Sequence, residues 1–154
     1  EDAITEQQMD MTLAVMAHSL VYWTQDLVRH GLLVSGSRIF AMTSSGSTRA
    51  FAAYGAISAA KSALESHTRQ LAYELAGRGI AVNALRAGVT DTPALRKIPG
   101  NDKLLSGAAR KNPSGRLTTP PDVAAVLLAL CQPGAGWMTG NVVNVDGGEE
   151  ISAG

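Results

Sequence analysis

Tyr54 and Lys61 stand seven residues apart in the stretch "AAYGAISAAKSAL", residues 52 to 64. On a helix that spacing is about two turns, so both side chains return to nearly the same face with a rise of about 10 Å between them. A phenol at a helix entrance and an ammonium two turns further in form a possible acid/base or oxyanion-stabilising pair, the cation favouring the ionised phenol. Ser58 falls between them on the same side, and the spacers Gly55, Ala56, Ala59 and Ala60 leave that face open to a flat ligand. On spacing alone, the commoner explanation is an amphipathic helix with one boundary tyrosine and one solvated lysine.

Two further stretches bear on that choice. "RIFAM", residues 38 to 42, is a short apolar run that reads as a buried strand, and the polar loop "TSSGST" follows it. In an open parallel sheet ligands bind beyond the carboxyl ends of the strands, which is where Ser44 and Ser45 would stand. "IAVNALR", residues 80 to 86, reads as another buried strand, and "AGVTDTPAL" leaves it at the same edge. Gly88 permits a tight turn there. Backbone amides of this loop could hold a planar amide group, and the Thr90 and Thr92 hydroxyls could reach phosphate oxygens. Each loop alone reads equally well as solvated small polar residues.

The elements that would position these residues follow from patterning. "TEQQ" at Thr5 to Gln8 has the form of a capping box. Met9, Leu13, Met16, Leu20, Trp23 and Leu27 then recur at helical steps, predicting a helix over Met9 to His30 with Gly31 as its stop. Tyr22, Trp23 and Val28 widen its apolar face, which predicts burial against a sheet and a second partner. A second helix is predicted over Ala53 to Ala76, closed by Gly77 and Gly79. A weakly helical region follows over 94 to 111, with Pro93 at its start. A helix capped by Thr119 comes next, and "NVVNVDGG" ends the pattern as a strand and turn. Strands alternating with long helices imply right-handed crossovers and a parallel sheet covered on both faces. Three strands are few for such a sheet, since about five or six is usual. The chain reads as a single domain over 1–154, and as the back half of a larger fold.

Composition narrows the classes. The chain has 154 residues, 45% hydrophobic and 17% charged, enough to build a core. Lys+Arg and Asp+Glu both total 13, so there is no basic excess to suggest a nucleic-acid partner. No apolar run is long enough for a membrane span, and "EDAITEQQ" lacks a signal-peptide core; a cytoplasmic setting is expected. The lone Cys131 sits in "AAVLLALC" and is expected to be buried. His18, His30 and His67 show no metal-ligand spacing, and no metal site is expected.

The strand–TSS loop, the Tyr/Lys helix, the strand–AGxxxT loop and the terminal "VNVDGG" occur in the order that resembles the short-chain dehydrogenase/reductase family. "HTRQLAYELAGRGIAVNALRAG", "GRLTTPPDVAAVLLAL" and "MTGNVVNVDGG" are similar to stretches typical of it, and the resemblance runs from about Met9 to Gly148. Most members carry Tyr-x-x-x-Lys; here Ile57 occupies that tyrosine's place. The Tyr-x6-Lys spacing resembles the enoyl-[acyl-carrier-protein] reductase branch. "ALRKIPGNDKLLSGAARKNPSGRL" resembles its type III variant, and Met16 replaces the asparagine of the usual proton relay.

The resemblance implies a Rossmann-like doubly wound parallel sheet of which this is the C-terminal part, since the Gly-rich turn TGxxxGxG is not in the sequence. About a hundred residues would precede it on the two-half layout of that fold, on a longer or a separate chain. It further implies a reduced nicotinamide, NADH or NADPH, and an acyl-carrier-protein or CoA thioester as substrate. Tyr54, Lys61 and Ser44 would be catalytic; Lys61, Gly88, Thr90 and Thr92 would bind cofactor. Residues 94 to 111 would be a mobile lid, and the two long helices would pack in a homotetramer. A carbonyl reductase of the same family and a truncated non-catalytic oligomerisation module are the alternatives.

Overall fold

The computed structural model describes residues 3–97 and 100–152. Three parallel strands, β1 (Arg38–Thr43), β2 (Ala81–Ala87) and β3 (Val142–Val145), lie in the order β1-β2-β3. The register runs from Arg38↔Ala81 to Thr43↔Arg86 and from Ala84↔Val142 to Ala87↔Val145. β2 is central, and its run from Ala81 to Leu85 is wholly buried, as its apolar sequence requires. Because the strands are parallel, all three carboxyl ends meet at one edge.

The first helix starts at the capping box predicted for it. Thr5 N donates to Gln8 Oε1 at 2.9 Å, and Gln8 N donates to Thr5 Oγ1 at 3.2 Å. α1 (Glu6–Leu13) passes through a π-helical turn, Ala14–His18, into α2 (Ser19–Arg29), and Gly31 ends the run at φ 68°. The π turn inserts a residue into the helical repeat and so rotates the face that follows it. It drives Ala17 fully inside against Ala41, Ala60, Leu64 and Ala84, with Met16 packed alongside. Alanines at this crossing let α1–α2 and α3 (Gly55–Leu75) approach closely. Further along, Leu71, Ala72 and Leu75 of α3 meet Ile80 and Val82 with Leu20, Val21 and Val28. On the other side of the sheet, α5 (Pro120–Leu130) sets Leu130, Val123 and Val126 against Leu85, Val145 and Phe40. The sheet is therefore covered on both faces.

Some expectations change in detail. Tyr22 and Trp23 are 59% and 69% exposed, so the chain itself covers only the inner part of that broad helix face. Cys131 is exposed, because it is the C-cap of α5 and the apolar run has ended one residue earlier, at Leu130. No helix begins at Pro93; a turn leads into a 3-10 segment, Leu95–Lys97, and α4 (Asn101–Lys111) follows. Residues 98 and 99 of the predicted lid lie outside the described residues. Among the described residues no helix is long and apolar enough to cross a membrane.

Candidate active site

Ser44 directly follows β1, and a 3-10 turn, Ser45–Ser47, carries the chain away from the sheet edge. The loop then returns through Ala53, whose φ of 56° is a left-handed conformation that costs a residue with a Cβ about 1 kcal/mol or more. That turn delivers Tyr54 as the N-cap of α3, and its carbonyl takes the first helical bond from Ser58 N at 2.8 Å. The Tyr54 ring lies against Gly46. A Cβ at Gly46 would strike ring atom Cε1, stand 2.9 Å from Cδ1, and lie 3.4 Å from Ser44 Oγ. Gly46 is thus the place where Tyr54 and Ser44 meet. Phe51 packs edge-on with the ring, with centroids 5.8 Å apart.

Ser44 Oγ is buried without a hydrogen-bond partner among the described residues. A native hydroxyl left this way has an unmet bond, and at a strand end an incoming oxygen would meet it. Lys61 Nζ donates to the Met42 carbonyl at 2.8 Å, fastening the ammonium to the end of β1. Burial lowers the pKa of Lys61. A Cβ on Gly55, at the start of α3, would meet nothing within 4 Å, so the helix entrance is bare. Ser58, predicted to face a ligand, instead donates to the Gly46 carbonyl at 2.6 Å, and Ser62 donates to the Ser47 carbonyl at 3.0 Å.

Gly88, Thr90 and Thr92 stand at the same sheet edge, after β2. A side chain at Gly88 would lie 2.5 Å from Thr118 Oγ1 and 2.9 Å from Glu149 Oε2. Val89 N donates to Glu149 Oε2 at 2.9 Å. Burial pushes the Glu149 carboxyl above its ordinary range, against the pull of that Val89 N–H, and Asp146 and Glu150 nearby add to the rise. Thr90 Oγ1 donates to the Gly88 carbonyl at 2.9 Å, and Thr92 Oγ1 accepts from Leu95 N at 3.2 Å. Both hydroxyls therefore close their own loop, which leaves the backbone of Thr90 as the more available group.

Two arrangements carry no sequence motif. Glu65 lies on α3 one turn beyond Lys61 and is 7% exposed. Thr43 Oγ1 donates to its Oε1 at 2.7 Å, and Arg86 Nη2 lies 3.0 and 3.2 Å from its two oxygens. Burial raises the Glu65 pKa, but the polar surroundings of Ser47, Thr43 and Arg86, with the Arg86 charge, outweigh it and hold the carboxyl below its usual range. The available signal was a charge, Arg86, at the end of the largely apolar run "IAVNALR". Second, His18 Nδ1 and His67 Nε2 are 2.9 Å apart, joined by a hydrogen bond whose direction depends on the tautomer. They are separated by 49 residues; His18 ends the π turn and His67 lies on α3.

Residues 2–150 match a family model described as enoyl-(acyl carrier protein) reductase. The chain belongs to this family of short-chain dehydrogenase/reductases. Among this family's members, 1-cyclohexenylcarbonyl-CoA reductase of Streptomyces collinus is 33% identical over 94% of this chain and 52% of its own length. The 3-oxoacyl-[acyl-carrier-protein] reductase FabG of Thermotoga maritima is 39% identical over 58% of this chain and 36% of its own. The crystal structure of the NADH-dependent enoyl-[acyl-carrier-protein] reductase of Aquifex aeolicus superposes with a TM-score of 0.91 at 30% identity, over 98% of this chain and 58% of that one. The chain spans about half the length of the curated relatives it matches. Its sheet and helices accordingly match part of a Rossmann-like reductase fold.

Proposed function

We propose that the protein carrying this chain reduces the carbon–carbon double bond of a trans-2-enoyl thioester, borne on acyl-carrier protein or CoA, with NADH or NADPH. One observation carries the reading. Four residues before Lys61 stands Ile57, so the phenol offered at the Ser44 edge is Tyr54, at the helix N-cap. The residues present suit a nicotinamide: a buried unpartnered hydroxyl at Ser44, a desolvated ammonium at Lys61, and a bare helix entrance at Gly55.

Reduced nicotinamide, when bound, supplies the hydride to the β-carbon of the alkene. Negative charge then develops on the thioester oxygen, and the Tyr54 hydroxyl donates a hydrogen bond or proton to it. Lys61 holds the ribose hydroxyls and favours the reactive state of the tyrosine. Ser44 assists or shapes the pocket from the strand end. The Gly88 turn and the Thr90 backbone would hold the carboxamide, and Thr92 would approach the pyrophosphate. Residues 94 to 111 close over the acyl chain. The exposed Tyr22 and Trp23 support packing of the long helices in a homotetramer.

A carbonyl reductase is the second reading, favoured by the unpartnered Ser44 hydroxyl, which could serve a ketone oxygen as well as a thioester. The experiment is to offer the protein crotonyl and acetoacetyl thioesters with reduced nicotinamide and identify the products. Saturation of the crotonyl double bond is expected. Reduction of the ketone alone would transfer the assignment to the second reading, and absence of cofactor binding would leave a non-catalytic oligomerisation module.

A further inference from the structure

We propose that Glu65 is a positioning residue of this site, its buried carboxylate clasping Arg86 and Thr43 so that the Lys61 helix and the Ser44 turn are locked to the same two strand ends. The inference rests on the reductase reading above.

Thr43 and Arg86 are the last register pair of β1 and β2, so their side chains point to one face of the sheet. Glu65 meets both from α3. It follows Lys61 by four residues and so shares its face of the helix. The clasp fixes how far along α3 lies over the sheet, and with it where Lys61 reaches the Met42 carbonyl. A second arm continues to the Ser44 turn. Arg86 Nη2 donates to Ser47 Oγ at 3.2 Å, and Ser47 Oγ donates to the Ser44 carbonyl at 3.0 Å. The backbone that aims the unpartnered Ser44 hydroxyl therefore ends a chain of bonds that begins at Glu65.

Stability alone is a poor reason for this arrangement. Arg86 and Glu65 side chains are 11% and 9% exposed, and Arg86 Nε is buried with no partner among the described residues. A buried ion pair with an unmet donor gains little over apolar residues of the same volume, whereas Arg86 Nη2, shared between both Glu65 oxygens and Ser47 Oγ, ties three groups into one geometry.

The test uses the protein carrying this chain and the double variant Glu65→Leu/Arg86→Met, which exchanges the pair for apolar side chains. Its unfolding temperature is expected to stay near that of the wild type. The Kd for reduced nicotinamide, read by fluorescence titration, is expected to weaken about 10-fold and kcat to fall about 100-fold, as misplaced reacting groups require. A folded double variant with wild-type Kd and kcat would overturn the proposal. Should it fail to fold, Thr43→Val removes one hydroxyl of the clasp in an isosteric change; a kcat lowered about 5-fold at unchanged unfolding temperature supports the clasp, and an unchanged kcat overturns it. The Kd is measured without thioester, so it reports on the clasp whichever double bond is reduced. A wild type that binds no reduced nicotinamide would sink the reductase reading itself.

Discussion

The two loops that leave the carboxyl ends of β1 and β2 are built on opposite plans. The turn after β1 is tied outward: Ser58 and Ser62 of α3 hold its carbonyls, and Arg86 of β2 holds Ser47. The loop after β2 is anchored outward at its start, where Gly88 N donates to the Val145 carbonyl and Val89 bonds to Glu149 and Thr118, and from Thr90 onward is tied to itself, through Thr90 to Gly88, Thr92 to Leu95 and the Asp91–Arg96 pair at 2.7 Å. The first plan fixes side chains relative to the sheet, as a group that must meet a reacting atom needs. The second lets a segment move as a unit, as a binding loop and lid need. Chemistry is thus expected to depend on the first loop and affinity on the second.

The largest test of that division is Tyr54→Phe set against Thr90→Val. Removing the phenol is expected to lower kcat by about 100-fold or more, the usual cost of losing a donor to a developing oxyanion, with the fold unchanged. Thr90→Val keeps the backbone and removes only a hydroxyl already bound to Gly88, so kcat should hold within about threefold. Similar losses from both would abolish the distinction.

Next come the glycines. Gly46→Ala drives a methyl into the Tyr54 ring, a side chain that can swing aside, so kcat is expected to fall by about tenfold with little loss of stability. Gly88→Ala meets the Thr118 hydroxyl at 2.5 Å and the Asp146 backbone at 3.1 Å. Backbone cannot swing aside, and a loss of about 1–3 kcal/mol in chemical denaturation is expected. The reverse ranking would mean that the second loop, not the first, holds the reacting groups.

What could be read from residue order alone follows the same division. "RIFAM" ends one residue before the observed strand does, so Ser44 was placed at the sheet edge by local pattern. The Thr5 and Thr119 caps are local chemistry and fell where expected; Thr119 N donates to Asp122 Oδ2 at 2.8 Å. The Glu65–Arg86 clasp depends on how α3 packs over β2, joins residues 21 positions apart and has no periodicity of its own. The His18–His67 contact joins residues 49 positions apart on two helices, and His18 ends a π turn in "AVMAH", a segment that reads as ordinary helix. The burial expected for Cys131 failed because an apolar run does not reveal where a helix stops.

A smaller effect comes from pH. Burial lowers the Lys61 pKa from the ordinary 10.5, so the folded protein releases this proton at lower pH than the unfolded chain does. Between the lowered value and 10.5 the unfolded chain holds more protons, and folding stability gains from Lys61 as pH rises. Function runs the other way, since the amine formed no longer offers a cation to the ribose. In that window the wild-type Kd for reduced nicotinamide should weaken with pH while that of Lys61→Met stays level. A level wild-type profile would remove Lys61 from cofactor binding.

The smallest expected change is in hydrogen exchange. No residue of α4 is buried, while Leu64, Thr68 and Leu71 of α3 are, so α4 amides should open locally and α3 amides only with global unfolding. Cofactor that contacts the Gly88–Thr92 loop would stiffen the segment that leads into α4, and protection of residues 101 to 111 should rise by about threefold or more. Ser44 to Ser47 already hold their bonds to α3 and Arg86, and their exchange should barely change. Equal exchange in α4 with and without reduced nicotinamide would show that it is no lid. A rise confined to the Ser44 turn would invert the comparison, making the tied loop the one that responds to ligand.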